Sequence, residues 1–464
     1  MPQVCGLVEQ EFRSDDAKTS GICQGALGTG RGVAMFEKRF TGVPRPGYTG
    51  TEPSERKNTM HAITRRHFVN TLGKSAILAA TPFVHSRVRG QSSPNETLNH
   101  AVIGTGGQGS GHCKRFNSAA NCQLVAVCDL DPERLDRSIQ GFSNESKIRK
   151  YGDYRKLLED PSVDSVSIAT CDHWHTPLAL AALVAGKHVY VEKPCSHTVQ
   201  ETNLLVAASE KFGKCVQHGT QYRSTADVQA GVRALRDGVI GRVLTAKAIN
   251  HQLRKPIGRS PVSNPPNGVD YDLWLGPAPK HDFTRNRWHY NWHWFWDYGC
   301  GDLANDGIHQ LDVAIWGMDA GYPDAIVTSG GQLFYDDDHE TPDTQTIVFQ
   351  YARMQIIYEM RLWAPYPMEG HDNGTVFYGT DGKMEFGRRG VIATLKDGDE
   401  KKITGNGPNI VDNFIESVRA NKPEHLNAPI AKGAVSANLC HLGNIGTRLG
   451  GLKLEYDPDM GRVT

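Results

Sequence analysis

A glycine pattern at residues 104–109 restricts the fold of this chain more than any other part of the sequence. Gly104-Thr105-Gly106-Gly107-Gln108-Gly109 follows the apolar run Leu98–Ile103 and opens a helical segment. In a strand–turn–helix the first glycine permits the tight turn, the second lets backbone approach a pyrophosphate, and the third allows close helix–strand packing. The pattern predicts a dinucleotide site at the helix N-terminus, with Gly107 and Gln108 among its contacts.

Apolar strand-like runs alternate with helical segments after this motif. Further strands are predicted at 123–128, 165–169, 188–191 and 215–218. Alternation of this kind predicts right-handed βαβ units on a parallel sheet.

Several residues are typical of helix ends. Asp131-Pro132 predicts an N-cap followed by the first helical residue, and Thr176-Pro177 predicts the same for a later helix. Gly186 follows one predicted helix, and Gly213 follows another at 198–212.

An acidic residue ends the second predicted strand. Asp129 lies 20 residues after Gly109. A carboxylate there accepts hydrogen bonds from the adenosine ribose and repels a 2′-phosphate, so NAD is favoured over NADP. The alternative is that Asp129 only caps the next helix, but Asp131 is better placed for that role.

Three more segments complete a recognisable set of motifs. They are the histidine-rich 169–177, the strand end Tyr190-Val191-Glu192-Lys193-Pro194, and the glycine-rich 299–312 that contains Gly307-Ile308-His309. With the glycine pattern, these segments resemble the glucose–fructose oxidoreductase, inositol dehydrogenase and rhizopine catabolism family, known as Gfo/Idh/MocA. The resemblance covers roughly residues 98–451.

The resemblance implies an α/β fold with two parts. A Rossmann domain with a doubly wound parallel sheet is followed by an α+β domain whose open, mostly antiparallel sheet faces the cofactor. Paired strands are predicted at 344–349 with 355–361 and at 375–379 with 384–386. A last helical pattern places five apolar residues on one face, interpreted as core: Val435, Leu439, Leu442, Ile445 and Leu449.

Five segments follow from these patterns. We expect a disordered or wrongly assigned extension, a leader with its linker, an NAD-binding domain, a substrate and oligomerisation domain, and a tail. Their predicted bounds are 1–59, 60–95, 96–222, 223–455 and 456–464.

The resemblance assigns reacting groups to the strand end at 190–194 and to the glycine-rich 299–312. Lys193 is expected beside the reacting oxygen, where its ammonium can stabilise a developing alkoxide. His309 matches the histidine that transfers the proton. The inositol dehydrogenases carry Asp four residues before this histidine, whereas this chain has Asn305, followed by Asp306. Asn305 cannot act as a base, so we expect it to position substrate, with Asp306 as a weaker partner for His309.

Other contacts are predicted around these groups. Thr170, His175 and Glu192 are expected to contact the cofactor, and the resemblance implies that the Lys193–Pro194 bond can be cis. Tyr222 and Arg223 are expected to contact substrate.

The segment 287–298 holds four of the chain's eight tryptophans. Aromatic rings suit the apolar faces of a pyranose, and Trp292 and Trp296 are the rings we expect to face it. The alternative is that the segment packs the core of the second domain.

No metal site is predicted, although histidines are numerous. The spacing of His289 and His293 would suit zinc on one helix face, but the residues between them do not resemble a metal-site helix, and the resemblance implies a metal-free family. None of the ten cysteines forms a Cys-x-x-Cys pair, so we expect mostly free thiols, including a packed Cys195.

Charge and hydropathy limit the partners. Lys+Arg and Asp+Glu are 51 each, which argues against nucleic acid as a main partner. No apolar run reaches the ~20 residues of a membrane span.

Arg65-Arg66-His67-Phe68, followed by the apolar 76–80, resembles a twin-arginine leader and predicts a periplasmic protein, or a cytoplasmic one where the leader is unused. Its distance from the N-terminus suggests that translation starts at Met60.

The combined prediction is an NAD-dependent oxidoreductase that moves a hydride between a sugar or polyol carbon and a nicotinamide, and that forms homo-oligomers as its relatives do. One alternative is an NAD-requiring glycosidase that works through transient C3 oxidation and elimination. Another is a non-catalytic sugar-binding protein of the same fold.

Overall fold

The computed structural model describes residues 97–458 and 461–463. The predicted extension at 1–59 and the leader at 60–95 lie outside the described residues. Among the helices of the described part, none has the length and apolar character needed to cross a membrane.

The first half of the described chain forms a parallel sheet of six strands. Their bounds are β1 (Leu98–Ile103), β2 (Cys122–Cys128), β3 (Arg149–Tyr151), β4 (Ser165–Ile168), β5 (His188–Val191) and β6 (Val216–His218). The spatial order β3-β2-β1-β4-β5-β6 reverses direction between β1 and β4. Ligands of such sheets bind outside the carboxyl ends of the strands at this reversal.

Five helices accompany this sheet. They are α1 (Gly107–Ser118), α2 (Pro132–Ile139), α3 (Tyr154–Leu158), α4 (Asp172–Val184) and α5 (Val199–Phe212). The Asp131 side chain caps α2, and Gly186 and Gly213 adopt positive φ after α4 and α5, as predicted. The predicted cap at Thr176 is wrong, because α4 begins at Asp172 and contains Pro177. Hydrogen bonds from His173 and His175 to distant carbonyl groups hold this additional first turn.

The second half forms a mixed sheet of eight strands, ordered β14-β13-β12-β11-β7-β10-β9-β8. Their bounds are β7 (Val243–Asn250), β8 (Ala325–Gly331), β9 (Thr344–Tyr351), β10 (Met354–Arg361), β11 (Asn373–Gly379), β12 (Gly382–Gly387), β13 (Gly390–Leu395) and β14 (Glu400–Ile403). Only β7 and β10 pair in parallel within it. The mostly antiparallel sheet expected from the resemblance is confirmed, and a short pair, β15 (Tyr456–Asp457) and β16 (Arg462–Val463), follows.

The second half carries the helices α6 (Ala226–Arg236), α7 (Tyr271–Leu275), α8 (Ile308–Gly317), α9 (Ile410–Ala420) and α10 (Ile430–Arg448). Of these, α6, α8 and α10 pack on the second sheet, whereas α9 packs on apolar residues of the first half. Helix α8 packs on β7 and β11, and α10 packs on β8 and on α5 of the first half. Apolar residues from both sheets form one continuous cluster, so the two halves share a core. The predicted boundary between residues 222 and 223 falls in the connection from β6 to α6 and stays a prediction.

The predicted core face of the last helix is correct for four of its five residues. Leu439 and Leu442 are buried, and Val435 and Ile445 pack half-buried against the core. Leu449 is 52% exposed, because α10 ends at Arg448 and the chain turns away.

Candidate active site

A cavity of about 660 Å³ opens at the carboxyl ends of the strands of the first sheet. The glycine turn and Asp129 line it, together with Lys193, Asn305 and His309. Its volume is within the range of roughly 300–1,000 Å³ that is usual for ligand sites. Residues that the sequence places far apart therefore share one concave site.

The glycine turn fits a phosphate group. Gly104 has φ of +83°, and a Cβ atom there would lie 2.6 Å from the Ala169 carbonyl oxygen. A Cβ atom on Gly109 would lie 1.7 Å from the Gly104 carbonyl oxygen, so α1 can approach β1 only with glycine at this position. The N-terminus of α1 carries neither a capping side chain nor an acidic residue in its first turn, which leaves it open to an anion.

Asp129 lines the cavity at the end of β2. Its Oδ2 accepts hydrogen bonds from Thr105 N at 2.6 Å and from Thr105 Oγ1 at 3.0 Å. Burial raises the pKa of Asp129, and the hydrogen bonds from Asp131 and Thr105 oppose that rise. Asp131, rather than Asp129, accepts the capping bonds of α2, as expected. The Arg134 side chain also lines this end of the cavity and was not predicted.

Glu192 is buried at the end of β5, and its Oε1 atom accepts three hydrogen bonds. Its Oε1 accepts from Gln108 at 2.9 Å, from Gln221 at 3.1 Å and, at 2.7 Å, from His112 in its Nε2-protonated form. Burial alone would raise the pKa of Glu192, but the hydrogen bond and the charge of His112 hold it well below the usual range. Sequence analysis missed His112 and Gln221, which no motif distinguishes.

Lys193 follows Glu192, and the Lys193–Pro194 peptide bond is cis. Its Nζ donates to Asn305 Oδ1 at 3.0 Å. His175 lies beneath this turn, with Nδ1 facing the Pro194 carbonyl oxygen and Nε2 facing the Thr170 carbonyl oxygen. Burial lowers the pKa of His175 to about 4.

Asn305 and Asp306 lie on a π-helical turn, Leu303–Gly307, immediately before α8. Such turns recur at functional sites. The Asn305 amide nitrogen donates to Asp302 Oδ1 at 2.8 Å, opposite to the side that faces Lys193. Asp306 accepts from Arg254 at 2.6 Å and from Gln252. The predicted pairing of Asp306 with His309 is therefore wrong, because the Arg254 guanidinium binds this carboxylate.

His309 projects into the cavity from the first turn of α8. Burial lowers its pKa to about 4, and the neighbouring charge of Lys193 acts in the same direction. The ring is therefore neutral at pH 7 and can accept a proton. Tyr222 packs edge-on against it, with 5.6 Å between the ring centroids.

Two predicted substrate contacts lie elsewhere. Arg223 is buried and forms a two-pronged ion pair with Asp312, with both contacts at 2.8 Å, so its charge is already neutralised. Trp296 lies over the Arg448 guanidinium, 4.8 Å from the ring centroid, and does not line the cavity. Trp292 does line the cavity and stacks on His293 at 3.6 Å.

His289 and His293 do not have the arrangement that zinc on one helix face would need. His289 has positive φ and approaches Asp131, while His293 lies on a 3₁₀ turn, so the two share no α-helical face. Within the described residues, no group of three or more His, Cys, Asp or Glu side chains is arranged to hold a metal ion. The cysteines within the described part are free and buried, and burial raises the pKa of Cys195 to about 12, as expected for a packed thiol.

The segment 271–298, here termed the strap, crosses from the second half to the first. The Trp274 carbonyl oxygen accepts from Trp174 Nε1 at 2.9 Å and faces His173 Nε2 at 3.1 Å, and the Tyr298 carbonyl oxygen accepts from His173 N at 3.3 Å. The rings of Trp274 and Trp288 line the cavity together with Asp129. The strap thus forms one wall of the cavity, which the first sheet and its helices do not provide.

The fold and the glycine turn define an oxidoreductase of the NAD-binding Rossmann class. Residues 98–220 match the oxidoreductase family with NAD-binding Rossmann fold, and residues 256–464 match the C-terminal α/β domain of the same family. The chain belongs to the Gfo/Idh/MocA oxidoreductase family.

Curated relatives match over part of their length. A glycosyl hydrolase family 109 protein of Shewanella pealeana is 31% identical over 214 residues, which are 41% of this chain and 47% of that protein. An alpha-N-acetylgalactosaminidase of Shewanella oneidensis is 26% identical over 42% of this chain and 48% of its own. The chain thus spans about half the length of the curated relatives it matches.

Solved structures share the fold over most of the described chain. The WlbA dehydrogenase of Bordetella pertussis, in complex with NADH and UDP-GlcNAcA, matches with a TM-score of 0.59 and 17% identity, over 78% of this chain and 99% of that chain. An aldose-aldose oxidoreductase of Caulobacter crescentus matches with a TM-score of 0.59 and 20% identity, over 78% and 100%.

Proposed function

We propose that this protein is an NAD-dependent oxidoreductase that acts on a hydroxyl or carbonyl carbon of a sugar or polyol. The observation that carries this proposal is the shared cavity, which joins a phosphate-accepting glycine turn to Lys193, Asn305 and His309. An ammonium and a neutral imidazole in one cavity with the glycine turn support catalysis over sugar binding alone.

The cofactor would be held by the glycine turn at the N-terminus of α1, by Asp129 and by Thr170. A bound NAD would supply the hydride acceptor for oxidation and the hydride donor for reduction. Lys193 donates a hydrogen bond to the substrate oxygen and stabilises negative charge that develops there. The neutral His309 ring accepts the hydroxyl proton during oxidation and returns it during reduction.

Cofactor preference rests on two opposing groups. Asp129 favours NAD because its carboxylate binds ribose hydroxyls and repels a 2′-phosphate. Arg134, which lines the same cavity and lies 3.7 Å from Asp131, supplies a cation that reduces this discrimination. We therefore expect a preference for NAD rather than exclusion of NADP.

The test combines nucleotide identification with turnover. Mass spectrometry of the native protein identifies the co-purified nucleotide, and a panel of sugars and polyols is then followed at the nicotinamide absorbance. The matched control is Lys193→Met, which should bind nucleotide and lose turnover. If the parent reduces NAD with no sugar or polyol and the glycosides below are also inert, the proposal fails.

A glycosidase that oxidises C3 transiently is the second candidate. The relatives named as a glycosyl hydrolase family 109 protein and as an alpha-N-acetylgalactosaminidase favour it. The strap also favours it, since a cofactor wall built from both halves suits a nucleotide that is restored in each cycle. Release of p-nitrophenol from glycosides without added NAD would identify this reaction, together with deuterium incorporation at C2 in D₂O, because the carbon next to the transient C3 carbonyl is the one that loses a proton.

We further propose export through a twin-arginine route and assembly into homo-oligomers. Arg65→Lys combined with Arg66→Lys should keep the protein in the cytoplasm with unchanged activity. An unchanged periplasmic yield would contradict the route. Light scattering coupled to gel filtration measures the assembly.

A further inference from the structure

Arg254 and Asp302 form a buried ion pair beside the reacting groups. Arg254 follows β7, and Asp302 precedes the π-helical turn. Arg254 Nη2 lies 2.8 Å from Asp302 Oδ1 and 2.6 Å from Asp306 Oδ2. The Asp302 side chain is fully buried, and Asn250 Nδ2 donates to its other oxygen at 3.1 Å. A buried carboxylate keeps its charge only with such partners.

The same Asp302 oxygen accepts the Asn305 amide. Asn305 Nδ2 donates to Asp302 Oδ1 at 2.8 Å, while Asn305 Oδ1 accepts from Lys193 Nζ at 3.0 Å. An amide has one donating and one accepting end. A charged carboxylate on one side therefore determines that the oxygen, and not the NH₂ group, faces the lysine.

We propose that Arg254 is a positioning residue, which acts through Asp302 and the Asn305 amide to orient the Lys193 ammonium toward the substrate oxygen. This proposal rests on the proposed function. Rotation of the Asn305 amide by 180° would place its NH₂ group against the ammonium and its oxygen against Asp302, so an ionised Asp302 disfavours that orientation. Arg254 disfavours the rotated amide because its ion pair with Asp302 keeps that carboxylate ionised and therefore a hydrogen-bond acceptor.

The aromatic residues around Arg254 support a fixed position. Its guanidinium lies 5.8 Å from the Trp294 ring centroid and 6.0 Å from the Tyr290 ring centroid. The Tyr290 hydroxyl in turn lies 3.4 Å from Asn305 Nδ2. Cation–π contacts of this kind limit the movement of an arginine.

A double-mutant cycle tests the route. Arg254→Met should lower kcat about 10- to 100-fold, the loss expected when a reacting group is misplaced by about 1 Å, with less than a threefold change in the KM for sugar. Arg254→Lys should recover most of kcat, since an ammonium still pairs with Asp302. In an Asn305→Ala background, Arg254→Met should cost no further kcat. Additive losses would overturn the proposal. Arg223→Lys, which alters the other buried Arg–Asp pair, is the control and should combine additively with Asn305→Ala.

A chemical readout separates this proposal from the proposed function, since it needs no substrate. Acetic anhydride labelling of Lys193 at pH 8, quantified by peptide mass spectrometry, reports the loss of its hydrogen bond. Arg254→Met should raise the labelling rate about fivefold, the factor that corresponds to a hydrogen bond of about 1 kcal/mol. Lys247, paired with Glu359 and Glu369, is the internal reference. Other titratable groups interact electrostatically with the Lys193 ammonium, and the Arg254→Met variant keeps all of them. They are Asp172, Glu192, His175, His293 and His309. Unchanged labelling in a folded Arg254→Met protein would overturn the proposal.

Discussion

Trp292 and Trp296 form a matched pair for testing the carbohydrate assignment. Both are half-buried, and both belong to the strap. Trp292 lines the cavity and stacks on His293, with 19° between the ring planes, whereas Trp296 contacts Arg448 away from the cavity. The stacked aromatic pair contributes about 0.5–1.5 kcal/mol and the cation–π contact about 0.5–1 kcal/mol. The two Ala variants should therefore lose similar amounts of stability.

Only Trp292→Ala should lose sugar binding. An apolar ring face buried against a pyranose contributes about 1–3 kcal/mol. Its loss corresponds to a roughly 10- to 100-fold rise in the KM for sugar, with NAD affinity within about twofold of the parent. The assay is sugar saturation at fixed NAD, with thermal unfolding and NAD titration on the same preparations. If both variants raise KM equally, or if Trp292→Ala weakens NAD instead, the carbohydrate assignment of this ring is wrong.

Three further predictions concern the cofactor, the chemical step and acid stability. Asp129→Ala should weaken NAD by about 1.5–3 kcal/mol and narrow its advantage over NADP, as measured by titration of both nucleotides. Lys193→Met and His309→Asn should each lower turnover about 10²- to 10⁴-fold with little change in NAD affinity. Burial lowers the pKa of several histidines to about 4, among them His173, His175, His218 and His309. The unfolded chain then binds more protons, so their contribution to the free energy of unfolding is complete above pH 6.5 and falls toward pH 4, by up to about 1.4 kcal/mol per pH unit for each histidine. Burial raises the pKa of Asp172 and Glu201 to about 7, which acts in the opposite direction. Urea unfolding at pH 7 and pH 5 is therefore compared between the parent and His218→Gln, and an equal change of midpoint in both would contradict the prediction for His218.

Residues within one motif were predictable, and contacts between distant segments were not. The glycine turn and the Asp131 cap follow from local patterns, and the site positions of Lys193 and His309 follow from the family resemblance. Arg254 has no local pattern, because its role depends on a loop meeting the π-helical turn, and such pairing is set by tertiary packing. Arg223 was misassigned since a lone arginine near a motif does not reveal that Asp312, 89 residues later, neutralises it.

The strap has a consequence for how the molecule gains stability. A nucleotide in this cavity would contact β1 near the start of the described chain, the strap in the middle and α8 beyond it. Binding to such a site stabilises only the state in which all these segments are assembled. Cofactor occupancy should thus join the two halves into one cooperative unfolding unit, and an excised nucleotide-binding half, deprived of Trp274 and Trp288, should retain the glycine turn but not the affinity.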